Sequence, residues 1–96
     1  MGGAMEIVKI QLEIISTQIV KLPAKAKLLA IESLDNKPWL FALVNPDAQD
    51  VDRVIKTYET GDTVKSSGKY IGTYKEVGGG TFIYHTFDEG DVASVK

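Results

Sequence analysis

Val8-Lys9-Ile10-Gln11-Leu12-Glu13-Ile14 decides the fold class, because apolar and polar side chains alternate at every step. Successive side chains of an extended chain point to opposite faces, so Val8, Ile10, Leu12 and Ile14 share one side. Lys9, Gln11 and Glu13 take the other, which is the pattern of a half-buried strand. Beyond it, Ser16-Thr17 makes a turn and Gln18 to Leu22 resumes the extended pattern. Pro23 stops it, having no N–H to donate to a ladder.

The remaining chain repeats this rhythm. Lys27 to Leu34 is a third apolar run, and Asp35-Asn36-Lys37 turns it back into Trp39 to Val44 as a hairpin partner. Leu40-Phe41-Ala42-Leu43-Val44 is apolar on both faces, which predicts a strand near the centre of the core. Residues 45–58 carry two signals. Val51, Val54, Ile55 and Tyr58 form a helical stripe that Asn45 and Pro46 could start. The β-branched and aromatic run to Thr60 favours instead a loop through Asp52 and a strand from Arg53 to Thr60. Tyr70 to Lys75 is strand-like, with Gly72 marking a bulge or a close backbone approach. Gly78-Gly79-Gly80 turns the chain into Thr81 to Phe87, and Asp88 to Lys96 reads as a polar, frayed tail. The expectation is one all-β domain over residues 6–87, with 1–5 and 88–96 as flexible termini. Its six to seven short strands would form a compact antiparallel sandwich or a small barrel.

Ninety-six residues suffice for one domain with one modest core. The formal net charge of −2 argues against general nucleic-acid binding, which needs a surface that neutralises phosphates. The chain has no cysteine, hence no disulfide framework, thiolate metal site or thiol nucleophile. No run approaches the ~20 apolar residues of a membrane span, and the first residues lack a signal-peptide layout. Met5 is a second candidate start, with Met1 to Ala4 a cloning remnant or a short upstream extension.

Catalytic constellations fail one by one. Six residues separate Gly61 from Gly68 and Tyr70 follows Lys69, so the phosphate-loop spacing of a nucleotide hydrolase is absent. His85 is the only histidine, and every triad or histidine metal site would rest on it alone. Asp47, Asp50 and Asp52 miss the spacing of a calcium loop. No cofactor and no enzymatic activity are expected. Aromatic rings leave a softer signal: tyrosines with Arg53, Lys69 and the amides of a Gly/Ser/Thr loop could hold a base and a phosphate. The candidate ligand-binding residues are Tyr58, Thr60, Gly61, Asp62, Lys69, Tyr70 and His85.

Several words occur in order. They are Leu22-Pro23-Ala24-Lys25-Ala26, Pro38-Trp39-Leu40-Phe41-Ala42-Leu43-Val44-Asn45-Pro46-Asp47, Tyr58-Glu59-Thr60-Gly61-Asp62, Tyr70-Ile71-Gly72-Thr73-Tyr74 and His85-Thr86-Phe87. From Ile7 to Phe87 the chain resembles a family of small uncharacterised proteins of bacteriophages and prophages. Glu59 stands where that family commonly has glycine, and Asp62 where it has histidine. The resemblance implies a phage setting and the cytoplasm of a bacterial host. It implies no established activity. Taken with the absent catalytic chemistry and the Gly/Ser/Thr loop near Lys69 and the tyrosines, it leads to the expectation of a non-catalytic protein that antagonises a host defence. In the sharper version this is an oligomeric sponge whose pockets between subunits sequester a nucleotide-type immune signal. The alternative is a protein–protein module: an inhibitor of a host enzyme or an accessory part of the particle. The expected partners are further copies of the chain and either a small nucleotide or a host defence protein, with no membrane.

Overall fold

The computed structural model describes residues 4–92. They form seven strands: β1 (Glu6–Gln11), β2 (Thr17–Pro23), β3 (Lys27–Leu34), β4 (Lys37–Val44), β5 (Asp50–Glu59), β6 (Lys69–Val77) and β7 (Thr81–Val92). One sheet has the order β1-β4-β3 and the other β2-β5-β7-β6, and every pairing is antiparallel. The all-β expectation holds. Among the described residues no helix is long and apolar enough to cross a membrane, which says nothing about strands.

The sheets face each other across a core in which alternation does the sorting. On β4, Leu40, Ala42 and Val44 point inward and are almost fully buried. Val20 and Leu22 of β2, Ile31 of β3, Ile55 of β5 and Tyr74 of β6 meet them. Asp35 and Asn36 both take positive φ (51° and 62°), the geometry that lets a two-residue turn match the twist of the β3–β4 hairpin. The two sheets also touch edge to edge along β3 and β6. There Ser33 Oγ donates to Lys75 O (3.1 Å), and the Asn36 amide exchanges two 2.8 Å bonds with the backbone of Val77. The sandwich is thus closed along one side, with β1 and β2 as the edge strands on the other.

Two of the boundaries that differ from the sequence reading do so because distant segments supply hydrogen bonds. The β1 ladder stops at Gln11, since the chain must cross to the second sheet. Leu12 N then donates to Pro38 O (2.9 Å), and the Gln18 side chain holds Glu13 N and O. Val8, Ile10, Leu12 and Ile14 still pack on the core, as their spacing demands. β5 begins at Asp50 instead of Arg53, because Lys21, Leu22 and Pro23 of β2 pair with Asp52, Val51 and Asp50. The helical alternative is not taken; Asn45 Oδ1 accepts from Asp47 N and the chain turns into the strand.

The largest correction concerns the C-terminal segment. Asp88 to Val92, expected as a frayed tail, are the end of β7 and pair with residues 52–55 of β5. Their polarity has a partner in the fold. Arg53, 8% exposed, gives Nε and Nη2 to the two oxygens of Asp88 (2.8 Å each) and Nη1 to Asp91 (3.0 Å). The second oxygen of Asp91 accepts from Lys25 N (3.1 Å), which ties the β2–β3 turn to the same cluster. The expected flexible residues 1–3 and 93–96 lie outside the described residues.

Candidate functional site

Strand register assembles most of the residues singled out from the sequence. Tyr58 of β5 stands opposite His85 of β7, and His85 stands opposite Thr73 of β6. Their chain neighbours Thr57 and Thr86 are buried against the first sheet, so Tyr58 and His85 occupy the outer face of the four-stranded sheet. Lys56, Phe87 and Tyr70 form the next row on that face. The Phe87 ring sits between two tyrosines: Tyr58 at 5.7 Å and 83°, and Tyr70 at 5.6 Å and 65°. Both are edge-to-face contacts, the arrangement favoured by the charge distribution of aromatic rings.

A line of polar contacts crosses the same face. Thr60 Oγ1 is hydrogen-bonded to His85 Nε2 (2.8 Å), and His85 Nδ1 to Thr73 Oγ1 (3.0 Å). Thr73 Oγ1 also meets the Tyr70 hydroxyl. Tyr70 and Thr73 are three residues apart and would face opposite sides of a regular strand. A register shift between Tyr70 and Gly72 brings them to one side, which is the bulge that Gly72 signalled in the sequence. With both ring nitrogens on hydroxyls, His85 has no carboxylate to orient it. This arrangement offers hydrogen-bond donors and acceptors at fixed places.

The other candidates fall elsewhere. Gly61 (φ 103°) shapes the turn after β5, and the Asp62 carboxylate is engaged there by Glu59 N (2.8 Å). Lys69 pairs in register with Asp88, on the side that carries Arg53, away from the aromatic row. Arg53 itself is committed to Asp88 and Asp91 and cannot also hold a phosphate. The loop between β5 and β6 is anchored instead of open. Ser66 bonds Glu89 and accepts from Gly68 N, and Lys65 N donates to the Tyr58 hydroxyl (3.4 Å). Gly68 is required where it stands, since a Cβ there would lie 2.4 Å from the Asp88 carbonyl oxygen.

Thr73 and Phe87 stand among the candidate residues on this face and were absent from the set read from the sequence. The Gly72 bulge was the one signal pointing to Thr73. Thr73 also borders a cleft of about 330 Å³ at the β3–β6 seam, lined in addition by Ile31, Glu32, Ser33, Tyr74, Lys75 and Ile83. That is at the lower end of the size of small-molecule sites. Among the described residues no three His, Asp or Glu side chains gather to hold a metal ion. A family model matches residues 4–95. The chain belongs to that family, DUF7352, a domain of unknown function. No curated protein and no solved structure matches it. The DUF7352 match runs past Phe87 and takes in Asp88 and Asp91, in keeping with their place in β7.

Proposed function

We propose that the chain is a non-catalytic binding protein whose ligand, of nucleotide type, lies on the outer face of the four-stranded sheet. The observation that carries this reading is the aromatic row Tyr58–Phe87–Tyr70 beside the hydroxyl and imidazole line Thr60–His85–Thr73. Rings on a sheet face accept a base by stacking, and the adjoining hydroxyls and imidazole match its polar edge. Lys56, next to Phe87 on that face, supplies positive charge for a phosphate beside the aromatic row. A single local lysine suffices to meet one small anion even though the whole chain is acidic. The phage resemblance supports the biological setting: a homo-oligomer that takes a nucleotide-type signal of host defence out of circulation.

The test is a thermal-shift panel of cyclic nucleotides and cyclic ADP-ribose isomers on the intact chain, followed by denaturation to recover unaltered ligand. At least one compound raises the melting temperature and is released intact. Stacking contributes about 1–3 kcal/mol per base, so Tyr70→Ala weakens that binding by about 5- to 150-fold. A panel without any shift refutes the reading. A second reading, a protein–protein module, is favoured by the outward-facing, partly buried Trp39, Phe41 and Leu43 on the first sheet. A pull-down from host lysate separates the two, because sequestration of a nucleotide requires no protein partner.

A further inference from the structure

The core-facing residues of β4 are Leu40, Ala42 and Val44, so Trp39, Phe41 and Leu43 point out of the sandwich. Register sets Ile7 of β1 beside Leu43, and Ala30 and Leu34 of β3 beside Phe41 and Lys37. The result is an apolar strip along the outer face of the three-stranded sheet, with Ile7 66% and Leu34 40% exposed. Among the described residues no strand packs over it; the four-stranded sheet lies on the opposite, core side. A continuous apolar patch of this kind on a soluble domain marks a contact surface.

Charge identifies the occupant. Lys9 rises from the β1 side, level with Phe41, and rests its ammonium 4.8 Å from the centre of the Trp39 ring, while Glu32 flanks the strip on the β3 side, level with Trp39. Opposite charges on opposite edges of one apolar face make that face complementary to itself under two-fold rotation. We propose that the outer face of β1-β4-β3 docks a second copy of this chain about an axis running along β4. Each β1 then lies over the other copy's β3, and each Lys9 comes within reach of the other copy's Glu32. Lys27, beside Leu43 at the rim, lays its stem over Ile7 of the other copy and keeps its ammonium in water. Three strands at about 4.8 Å spacing and about 25 Å length give a footprint well below the ~800 Å² per partner of a standard complex. The dimer is therefore reversible, with a dissociation constant on the order of micromolar or weaker.

This names the partner surface of the proposed homo-oligomer, and it moves the ligand sites out of the interface. The aromatic rows of the two copies face outward on the far sides of the dimer rather than between subunits. Sedimentation velocity on the intact chain, from about 1 to 500 µM, reads the association directly. The expected result is a concentration-dependent shift from monomer to dimer that Phe41→Glu abolishes while the far-ultraviolet dichroism keeps its strand signature. Lys9→Glu and Glu32→Lys sit on exposed positions and keep the fold in any case. Each alone weakens dimerisation several-fold, and the double variant restores it. A chain monomeric throughout, an oligomer indifferent to Phe41→Glu, or a double variant weaker than both singles overturns the proposal. A dimer that takes no nucleotide sinks only the ligand reading. A monomer that still binds one sinks only this inference.

Discussion

Asp88→Ala separates a structural C-terminal strand from a frayed tail. The substitution removes two of the three charge-assisted hydrogen bonds on Arg53, whose guanidinium stays buried beneath the sheet. Stripping one partner from a buried ion pair costs about 3–5 kcal/mol, because the remaining charge is left without compensation. Asp91 remains as a partner at 3.0 Å, and its side chain is 31% exposed, so water offsets part of the loss. The expected cost is at the low end, about 3 kcal/mol. For a domain of this size each kcal/mol moves the melting temperature by about 4–8 °C, giving a fall of about 12–24 °C. Urea titration followed by Trp39 fluorescence and far-ultraviolet dichroism measures it, with Asp47→Ala in the exposed β4–β5 loop as a control that stays within about 0.5 kcal/mol. Acid supplies a second check. Burial by itself would raise the Asp88 carboxyl, but Arg53 and the Gly90 amide outweigh it and hold the group below its usual value. A lowered folded pKa gives stability that is whole above about pH 4 and disappears as pH falls through the folded value, so wild type and variant converge in acid. An Asp88→Ala cost below about 1 kcal/mol at neutral pH refutes the reasoning and returns residues 88–92 to a tail.

Two further outcomes follow from burial and close approach. Burial first, then the neighbouring Tyr84 and Glu76, push the Tyr74 phenol up to about 12. The folded chain thus keeps a proton that the unfolded chain loses near pH 10, and this contribution is whole below pH 10 and gone as pH climbs through about 12. Burial, then Glu76 and Glu59, raise Tyr84 as well, so phenolate absorbance should show two of the four tyrosines titrating late, Tyr74 together with alkaline loss of the fold; simultaneous titration of all four in a folded chain contradicts it. Gly68→Ala forces the Asp88 carbonyl away from a new Cβ and destabilises by about 1–3 kcal/mol in a urea titration, whereas Gly78→Ala, with nothing nearby, changes little. Equal midpoints for the two variants would show that the loop does not pack on β7 as described.

The candidate site was half legible. Tyr58, Thr60, Tyr70 and His85 do come together, because the antiparallel register of β5, β7 and β6 sets their outward-facing residues side by side. Asp62 and Lys69 looked equivalent to them as polar residues near a loop, yet one closes its own turn and the other belongs with Asp88. Nothing local distinguishes these roles. Asp88 and Asp91 failed for the same reason: in sequence they are tail carboxylates, and only Arg53, 35 residues earlier in the chain from Asp88, makes them core-bound. Trp39, Phe41 and Leu43 were legible as apolar but not as outward-facing, since two-sided apolarity marks a central strand whether its second face meets a layer of the same chain or another surface.

The amino-acid order alone determined that this chain is all strand, where most turns fall, and which side of each strand is apolar. Those are local properties, set by side chains that alternate faces and by turn residues that tolerate unusual φ. Only the tertiary structure decided that β1 lies beside β4 rather than β2, that β7 runs on to Val92, and that His85 stands between two threonines. Neighbour choice depends on hydrogen bonds and packing between segments far apart in the chain, and no short window of sequence contains both partners.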